Sequence, residues 1–226
     1  MQRSYKYLDI ITVVFVVVLL LANLVASVKV TKILGLSFTA GLFFFPLSYL
    51  VGDILTEVYG YSKSRRVIWT GFISLLAANL IIKILVSLPP DPHWTLQPAY
   101  EQIFGLSMRV SLASMFAYFC GEFANSYTLA KMKIATEGKL QFARIIGSTV
   151  VGEFVDTVIF YPLAFWGSSA FTTDLIISIM VANYIVKVSW ETIAYPFTKR
   201  LLIWLKKTEN EDYYDYKTDF NPLHLN

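Results

Sequence analysis

Long apolar stretches separated by short polar ones organise this chain, and polar residues interrupt those stretches at matching places in its two halves. Windows rich in Leu, Ile, Val, Phe and Ala predict helices over roughly 8–29, 39–60, 66–88, 107–131, 142–167 and 174–205. The stretches around 8–28 and 67–88 are long enough to cross a bilayer. Gly41, Pro46 and Gly52 break up the second, and Gly147, Gly152 and Pro162 the fifth. Such breaks are tolerated in a membrane where neighbours or a polar cavity satisfy the freed backbone groups. Pro89-Pro90-Asp91-Pro92 ends the third, and 88–106 reads as a long loop.

The interruptions repeat. Val51-Gly52-Asp53 returns as Val151-Gly152-Glu153, and Thr56-Glu57 returns with its order changed as Asp156-Thr157. Ala78-Asn79, four residues ahead of Lys83, returns as Ala182-Asn183 ahead of Lys187. Ala22-Asn23, six residues before Lys29, returns as Ala124-Asn125 before Lys131. The offsets of 100, 104 and 102 keep register over half the chain, so the pattern predicts a duplicated membrane unit with halves at about 8–105 and 106–205.

Basic residues set the expected orientation. Arg3, Lys6, Lys63, Arg65, Arg66, Lys131, Lys133, Lys139, Arg144, Lys199, Arg200, Lys206 and Lys207 fall on one side. Lys29, Lys32 and Arg109 fall on the other. Thirteen against three puts both termini in the cytoplasm. Three helices per unit then turn the second unit upside down relative to the first. The expected fold is an all-α membrane protein of six transmembrane helices in a 3+3 inverted repeat, with residues 1–205 forming one transporter domain. From 206 to 226 the chain turns acidic and tyrosine-rich, which predicts a polar, disordered cytoplasmic tail.

Composition narrows the class. The chain is 56% hydrophobic and 15% charged, far from a soluble domain. A net charge of +3, carried in short clusters, suits lipid headgroups and argues against nucleic acid. Arg3 and Lys6 ahead of an apolar run resemble a signal peptide. That run, from about Ile10 to Val28, is too long for one, has a repeat partner near 106–130, and reads as a spanning helix. One cysteine, Cys120, allows no internal disulfide, and with only His93 and His224 beside it no metal or cofactor site is expected.

Asp53, Glu57, Lys83, Glu122, Glu153, Asp156, Lys187 and Glu191 all fall inside predicted spans. At about 2.5–3.5 kcal/mol each near a helix centre, eight such groups would cost on the order of 20 kcal/mol unless they pair, line water or bind something. Asp53/Glu57, Asn79/Lys83, Asn183/Lys187 and Lys187/Glu191 are four apart, and Glu122/Asn125 and Glu153/Asp156 three apart, so each set shares a helix face. Structural ion pairing competes with a functional reading for each. It weighs most on Glu57, near Arg65 and Arg66, and Asn23, Asn79, Asn125 and Asn183 also suit interhelical hydrogen bonding. Glu57, Lys83 and Glu191 stand as charge-pair or proton-carrying groups. Ala113, Ala117 and Gly121 form a small-residue ridge for close helix packing within a protomer or between the two of a homodimer.

The segment Phe45-Pro46-Leu47-Ser48-Tyr49-Leu50-Val51-Gly52-Asp53-Ile54-Leu55-Thr56-Glu57-Val58-Tyr59-Gly60, followed by Ser64-Arg65-Arg66, resembles the signature of the VUT family of queuosine-precursor transporters. Gly121-Glu122-Phe123-Ala124-Asn125 and the run from Gly147 to Thr157 resemble that family's later segments, and the likeness covers roughly residues 8–205. It implies a bacterial inner-membrane importer of 7-cyano-7-deazaguanine, 7-aminomethyl-7-deazaguanine or queuine, working by alternating access. Such a ring presents N1–H and an amine side by side, which a carboxylate accepts together, while an amide serves the carbonyl and an aromatic ring stacks. Glu153 and Asp156 are the first candidates, with Asp53, Asn79, Glu122, Asn125, Asn183 and Lys187 behind them. Tyr49, Phe154, Tyr184 and Trp190 are the candidate stackers. The alternative is a substrate-capture subunit of an ATP-driven vitamin-type uptake system, on the strength of Ala22-x3-Ala26. No His-Glu-x-x-His, Gly-x-Ser-x-Gly or Walker A sequence occurs, which argues against hydrolase chemistry and against ATP hydrolysis by this chain.

Overall fold

The computed structural model describes residues 5–26, 30–33, 36–39, 41–105, 108–167 and 172–224. Lys29 and Arg3 lie outside them. Six long helices form: α1 (Leu8–Leu21), α2 (Gly41–Tyr59), α3 (Tyr61–Ser87), α5 (Met108–Ala135), α6 (Gln141–Phe165) and α7 (Thr173–Glu209). A short helix, α4 (Gln97–Phe104), lies in the loop after α3. Among the described residues three stretches are long and apolar enough to cross a membrane: α3 (Tyr61–Ser87), the stretch from Gln97 to Ala135 that holds α4 and α5, and α7 (Thr173–Glu209).

Two elements depart from the sequence pattern. A single wider π turn, Ala22–Ala26, follows α1, where one continuous helix to 29 is expected. Its Asn23 donates to Leu19 O at 2.9 Å and accepts from Ser114 Oγ at 2.9 Å. A two-stranded antiparallel hairpin, β1 (Val30–Ile33) and β2 (Leu36–Thr39), then leads into α2, with Val30 opposite Thr39 and Ile33 opposite Leu36. Three β-branched residues in β1, Val30, Thr31 and Ile33, favour this extended pairing over helix.

The bundle is built around α2. Every residue from Val51 to Gly60 is buried, and the helix packs against α1, α3, α5 and α7. Phe15 and Leu19 of α1, Leu55 and Val58 of α2, Ile68 and Leu75 of α3 and Leu129 of α5 make the apolar part of this core. Ala113 and Ala117 are buried too, so the small-residue ridge of α5 serves packing inside the chain. The outer faces are apolar, with Ile10, Val13, Ile73, Ile81, Ile84, Val181 and Ile193 all more than half exposed. Apolar outside and charged inside is the arrangement a lipid solvent selects.

The last helix runs on to Glu209 rather than ending near 205, and the chain beyond it is a packed strap, not the mobile tail its composition predicts. Residues 211–224 cross the end of the bundle where α2 meets α3. Tyr213 donates its amide to Val58 O at 3.1 Å, and Arg65 donates to the carbonyls of Asp219 and Asn221 at 2.8 and 2.6 Å. Trp69 Nε1 donates to Pro222 O at 2.8 Å. The Phe220 ring packs on Tyr61 and Tyr127, with Lys131 Nζ 3.9 Å from its centre. Asp215, only 2% exposed, accepts the Tyr61 amide on both oxygens at 3.2 and 3.1 Å. It thereby caps α3 from a distant part of the chain, where the exposed N–H groups favour an anion. The acids that suggest disorder are consumed by these donors.

Two acids of the strap titrate in opposite directions. Burial alone would raise the Asp212 carboxyl, but hydrogen bonds and charge from Lys133 and Lys206 outweigh it and hold it below the usual range. Burial dominates at Asp215 and raises it. A depressed folded pKa stabilises above the free value of about 3.9, and that contribution is lost as pH falls through the folded value, so the contacts of Asp212 favour the docked strap at neutral pH and weaken in acid. We expect the Tyr213 and Tyr61 amides to be protected from hydrogen exchange at neutral pH, with protection falling below about pH 4. Asp212→Asn should flatten that dependence. Amides that exchange at the free-chain rate at pH 7 would refute a docked strap.

Candidate functional site

Four helices, α2, α5, α6 and α7, converge on a buried polar cluster, and missing side chains let them approach. A Cβ at Gly52 would collide with the Glu122 carboxylate, so the glycine leaves the room in which Glu122 of α5 presses against α2. A Cβ at Gly152 would lie 2.6 Å from Asn125 Cβ and 2.9 Å from Gly121 O, so α5 and α6 cross almost backbone to backbone. The motif glycines therefore bring Glu122, Asn125, Glu153 and Asp156 to one place.

Lys187 of α7 reaches across to α6, with Nζ 2.8 Å from Glu153 Oε2 and 2.7 Å from Asp156 Oδ2. Phe45 lies beneath it, 5.8 Å to the ring centre. Asn125 donates to Asp53 Oδ1 at 2.7 Å. The other side of Asp53 meets Glu191 of α7, whose carboxyl also has Thr149 beside it. Glu122 sits among Tyr118, Asp53, Glu153 and Asp156. Asp53, Glu122, Asn125 and Glu153 are completely buried and Glu191 is 2% exposed.

This cluster is rich in acceptors that nothing among the described residues answers. Asp53 Oδ2, both oxygens of Glu122, Asn125 Oδ1, Glu153 Oε1 and both oxygens of Glu191 are buried without a donor, as are the hydroxyls of Tyr49, Tyr118 and Thr157. Buried polar atoms of this kind are rare in folded proteins and mark strain or function. Five carboxyls surround a single ammonium, so the remainder require protons or donors from elsewhere. Among the described residues no three Asp, Glu, His or Cys side chains converge as metal ligands. The arrangement can receive a molecule with several N–H groups on one edge.

A second cluster, at the strap end, closes around Glu57. Arg144 Nε and Nη2 grip its two oxygens at 3.0 and 2.6 Å, and Lys206 Nζ adds a contact of 2.6 Å to Oε1. Lys133 donates to Glu57 O at 2.6 Å and to Tyr213 O at 2.8 Å, and pairs with Asp212. Glu57 is thus an ion-pair hub one turn from Asp53. Its grip comes from α6 and α7 rather than from the neighbouring Arg65–Arg66 stretch, because α2 turns that face inward.

The remaining candidates lie apart. Asn79 donates to Leu75 O at 2.9 Å and to Met115 Sδ at 3.6 Å, and Asn183 to Ile179 O at 3.0 Å, both largely serving their own helices. Trp190 is half-buried, and Phe154 is 57% exposed. Lys83 is exposed on α3, so of the two repeat-related lysines only Lys187 enters the cluster. Sequence reasoning passed over Tyr118, although it lies four residues before Glu122 on the same face. It also gave Arg144 and Lys133 no role beyond the orientation count, since their partners are distant in the chain.

Such a bundle, apolar outside with acids at its centre, is a multi-pass helical membrane protein with an internal polar site. A family model described as "Putative vitamin uptake transporter" matches residues 39–201, well over half of the chain, and the chain belongs to that family. It is similar to a protein of Bacillus subtilis (strain 168) named "Probable queuosine precursor transporter", with 29% identity over 171 residues covering 75% of this chain and 74% of that one. It is also similar to the "Queuosine precursor transporter" of Escherichia coli (strain K12), with 27% identity over 187 residues covering 82% and 81%. No solved structure shows a significant match.

The hub carries a stability prediction. Glu57→Gln leaves the buried Arg144 and Lys206 without their carboxylate and should destabilise the folded protein by about 3–5 kcal/mol. Thermal unfolding in detergent is the measurement, and an unchanged midpoint would show that the hub is not structural.

Proposed function

We propose that this chain imports queuosine precursors, namely 7-cyano-7-deazaguanine, 7-aminomethyl-7-deazaguanine or queuine, across a bacterial inner membrane. Family membership and the names of both relatives support this reading. The observation that carries it is the buried wall of unanswered acceptors on Glu122, Glu153, Asp53 and Asn125. A 7-deazaguanine brings N1–H and an exocyclic amine side by side, plus a pyrrole N–H, and therefore supplies what the wall lacks. The Tyr49 hydroxyl, buried without a partner, is placed to donate to its carbonyl. Asp156 and Lys187 fix Glu153 in place, leaving Oε1 for the ligand. We read the chain as a carrier and not an enzyme, needing no metal or cofactor. Neither the family nor the relatives support the capture-subunit alternative.

In this reading the six long helices span the membrane as a 3+3 inverted repeat, with both termini in the cytoplasm. Glu57, Arg144, Lys206 and Lys133 then form the inner gate, because α2, α5, α6 and α7 must part there to release substrate. The strap crosses the same gate.

Uptake of labelled 7-deazaguanines by cells unable to make their own, scored as queuosine in tRNA, tests the function. Glu122→Gln and Glu153→Gln replace acceptors with groups that present donors to donors. Each should cost roughly 1.5–3 kcal/mol, at least a tenfold loss of affinity. Normal uptake and binding in both would remove them from the site. For the orientation, cysteines placed at Ser87 and Thr95 should react with an impermeant reagent added outside, and labelling from the inside alone would reverse it.

A further inference from the structure

A pair of carboxyls stands at the centre of the bundle without a counter-charge of its own. Asp53 of α2 and Glu191 of α7 face each other, 0% and 2% exposed. Asn125 of α5 takes one oxygen of Asp53. The other oxygen of Asp53 and both of Glu191 have no donor. The titratable and charged neighbours from the packed helices are Glu57 on α2, Glu122 on α5, and Glu153 on α6, with Thr149 the polar neighbour of Glu191. Cations are engaged on either side: Lys187 by Glu153 and Asp156, and Arg144 and Lys206 by Glu57. Two carboxylates cannot share so dry a contact when both are ionised, whereas one proton between them makes a hydrogen bond. The contact also joins helices that alternating access would separate.

We propose that the Asp53–Glu191 pair is a proton-binding site that couples import to an inward proton gradient, an inference that rests on the transport reading above. The pair closes when one carboxylate takes a proton from the outer aqueous phase, forming an O–H bond. It reopens when that proton passes to water inside, and one proton enters with each substrate.

The test uses the full chain in proteoliposomes with labelled 7-cyano-7-deazaguanine, which carries no charge. Exchange of labelled for unlabelled substrate at equal pH tests transport alone. Imposing an alkaline interior tests the coupling. We expect accumulation of up to about tenfold per imposed pH unit for one proton per substrate, abolished by a protonophore. Glu191→Gln fixes a neutral partner beside Asp53 and should lose this accumulation while exchange persists. A wild type that exchanges substrate but ignores the pH gradient overturns the coupling and leaves the transport reading standing. Accumulation by Glu191→Gln equal to wild type overturns the site. Absence of exchange in the wild type removes the transport reading and this inference with it. Should Glu191→Gln fail to fold, proton uptake by the wild type, measured with an entrapped pH dye as substrate enters, decides the coupling: no acidification inside overturns it.

Discussion

The central constraint is a helix that carries two acids through the middle of an apolar bundle. Asp53 and Glu57 lie one turn apart on α2, in a stretch buried on every side. Neither water nor lipid can answer them there, so the helices around α2 must. Asn125 from α5 and Glu191 from α7 meet Asp53, and Arg144 from α6 and Lys206 from α7 meet Glu57. Those demands fix which faces of α5, α6 and α7 turn inward. The glycines at 52 and 152 serve the same packing, the first leaving room for Glu122 and the second letting α6 cross close to Asn125.

The two halves use their repeated residues differently. Asp53 and Glu153 are sequence counterparts, yet Asp53 is held by an amide and a second carboxyl while Glu153 is held by an ammonium. Glu57 draws several cations, whereas the acid nearest its counterpart, Asp156, shares Lys187 with Glu153. Divergence of this kind separates an ion-paired lock at one end from an acceptor-rich centre. A lock resists opening through a few strong contacts, and a centre short of donors gains by taking a ligand. A carrier needs both properties, placed on the same helices.

The strap extends the lock. Asp212 lies against Lys133 and Lys206, so the segment after α7 closes on the same cations that hold Glu57. Glu209 ties in the N-terminal segment as well, accepting the Lys6 and Tyr7 amides at 3.0 and 2.7 Å and the Tyr59 hydroxyl at 2.9 Å. One end of the bundle is therefore laced by both ends of the chain, while the centre retains its unmatched acceptors. Motion that exposes the centre at this end must first break charge-assisted contacts, which gives the closed arrangement a defined barrier.

Much was legible in the linear order of residues. Apolar periodicity located all six long helices, five of them within about five positions at each end, while the first ends at Leu21 rather than near 29. Polar interruptions at matched offsets marked Asp53, Asn125, Glu153, Asp156 and Lys187, and charge inside a predicted span marked Glu122 and Glu191, because charges in such segments are costly enough to be purposeful. Pairing was another matter. That Glu191 faces Asp53 rather than Lys187, that Arg144 holds Glu57, and that Lys83 stays outside depend on helix rotation and crossing, which local spacing does not encode. The strap was misread for a related reason: Asp212, Asp215 and Phe220 look like a solvated tail until the donors and rings of α2, α3 and α5 are brought beside them. A helix face is a local property of sequence, but the partner it meets is decided only when the helices pack.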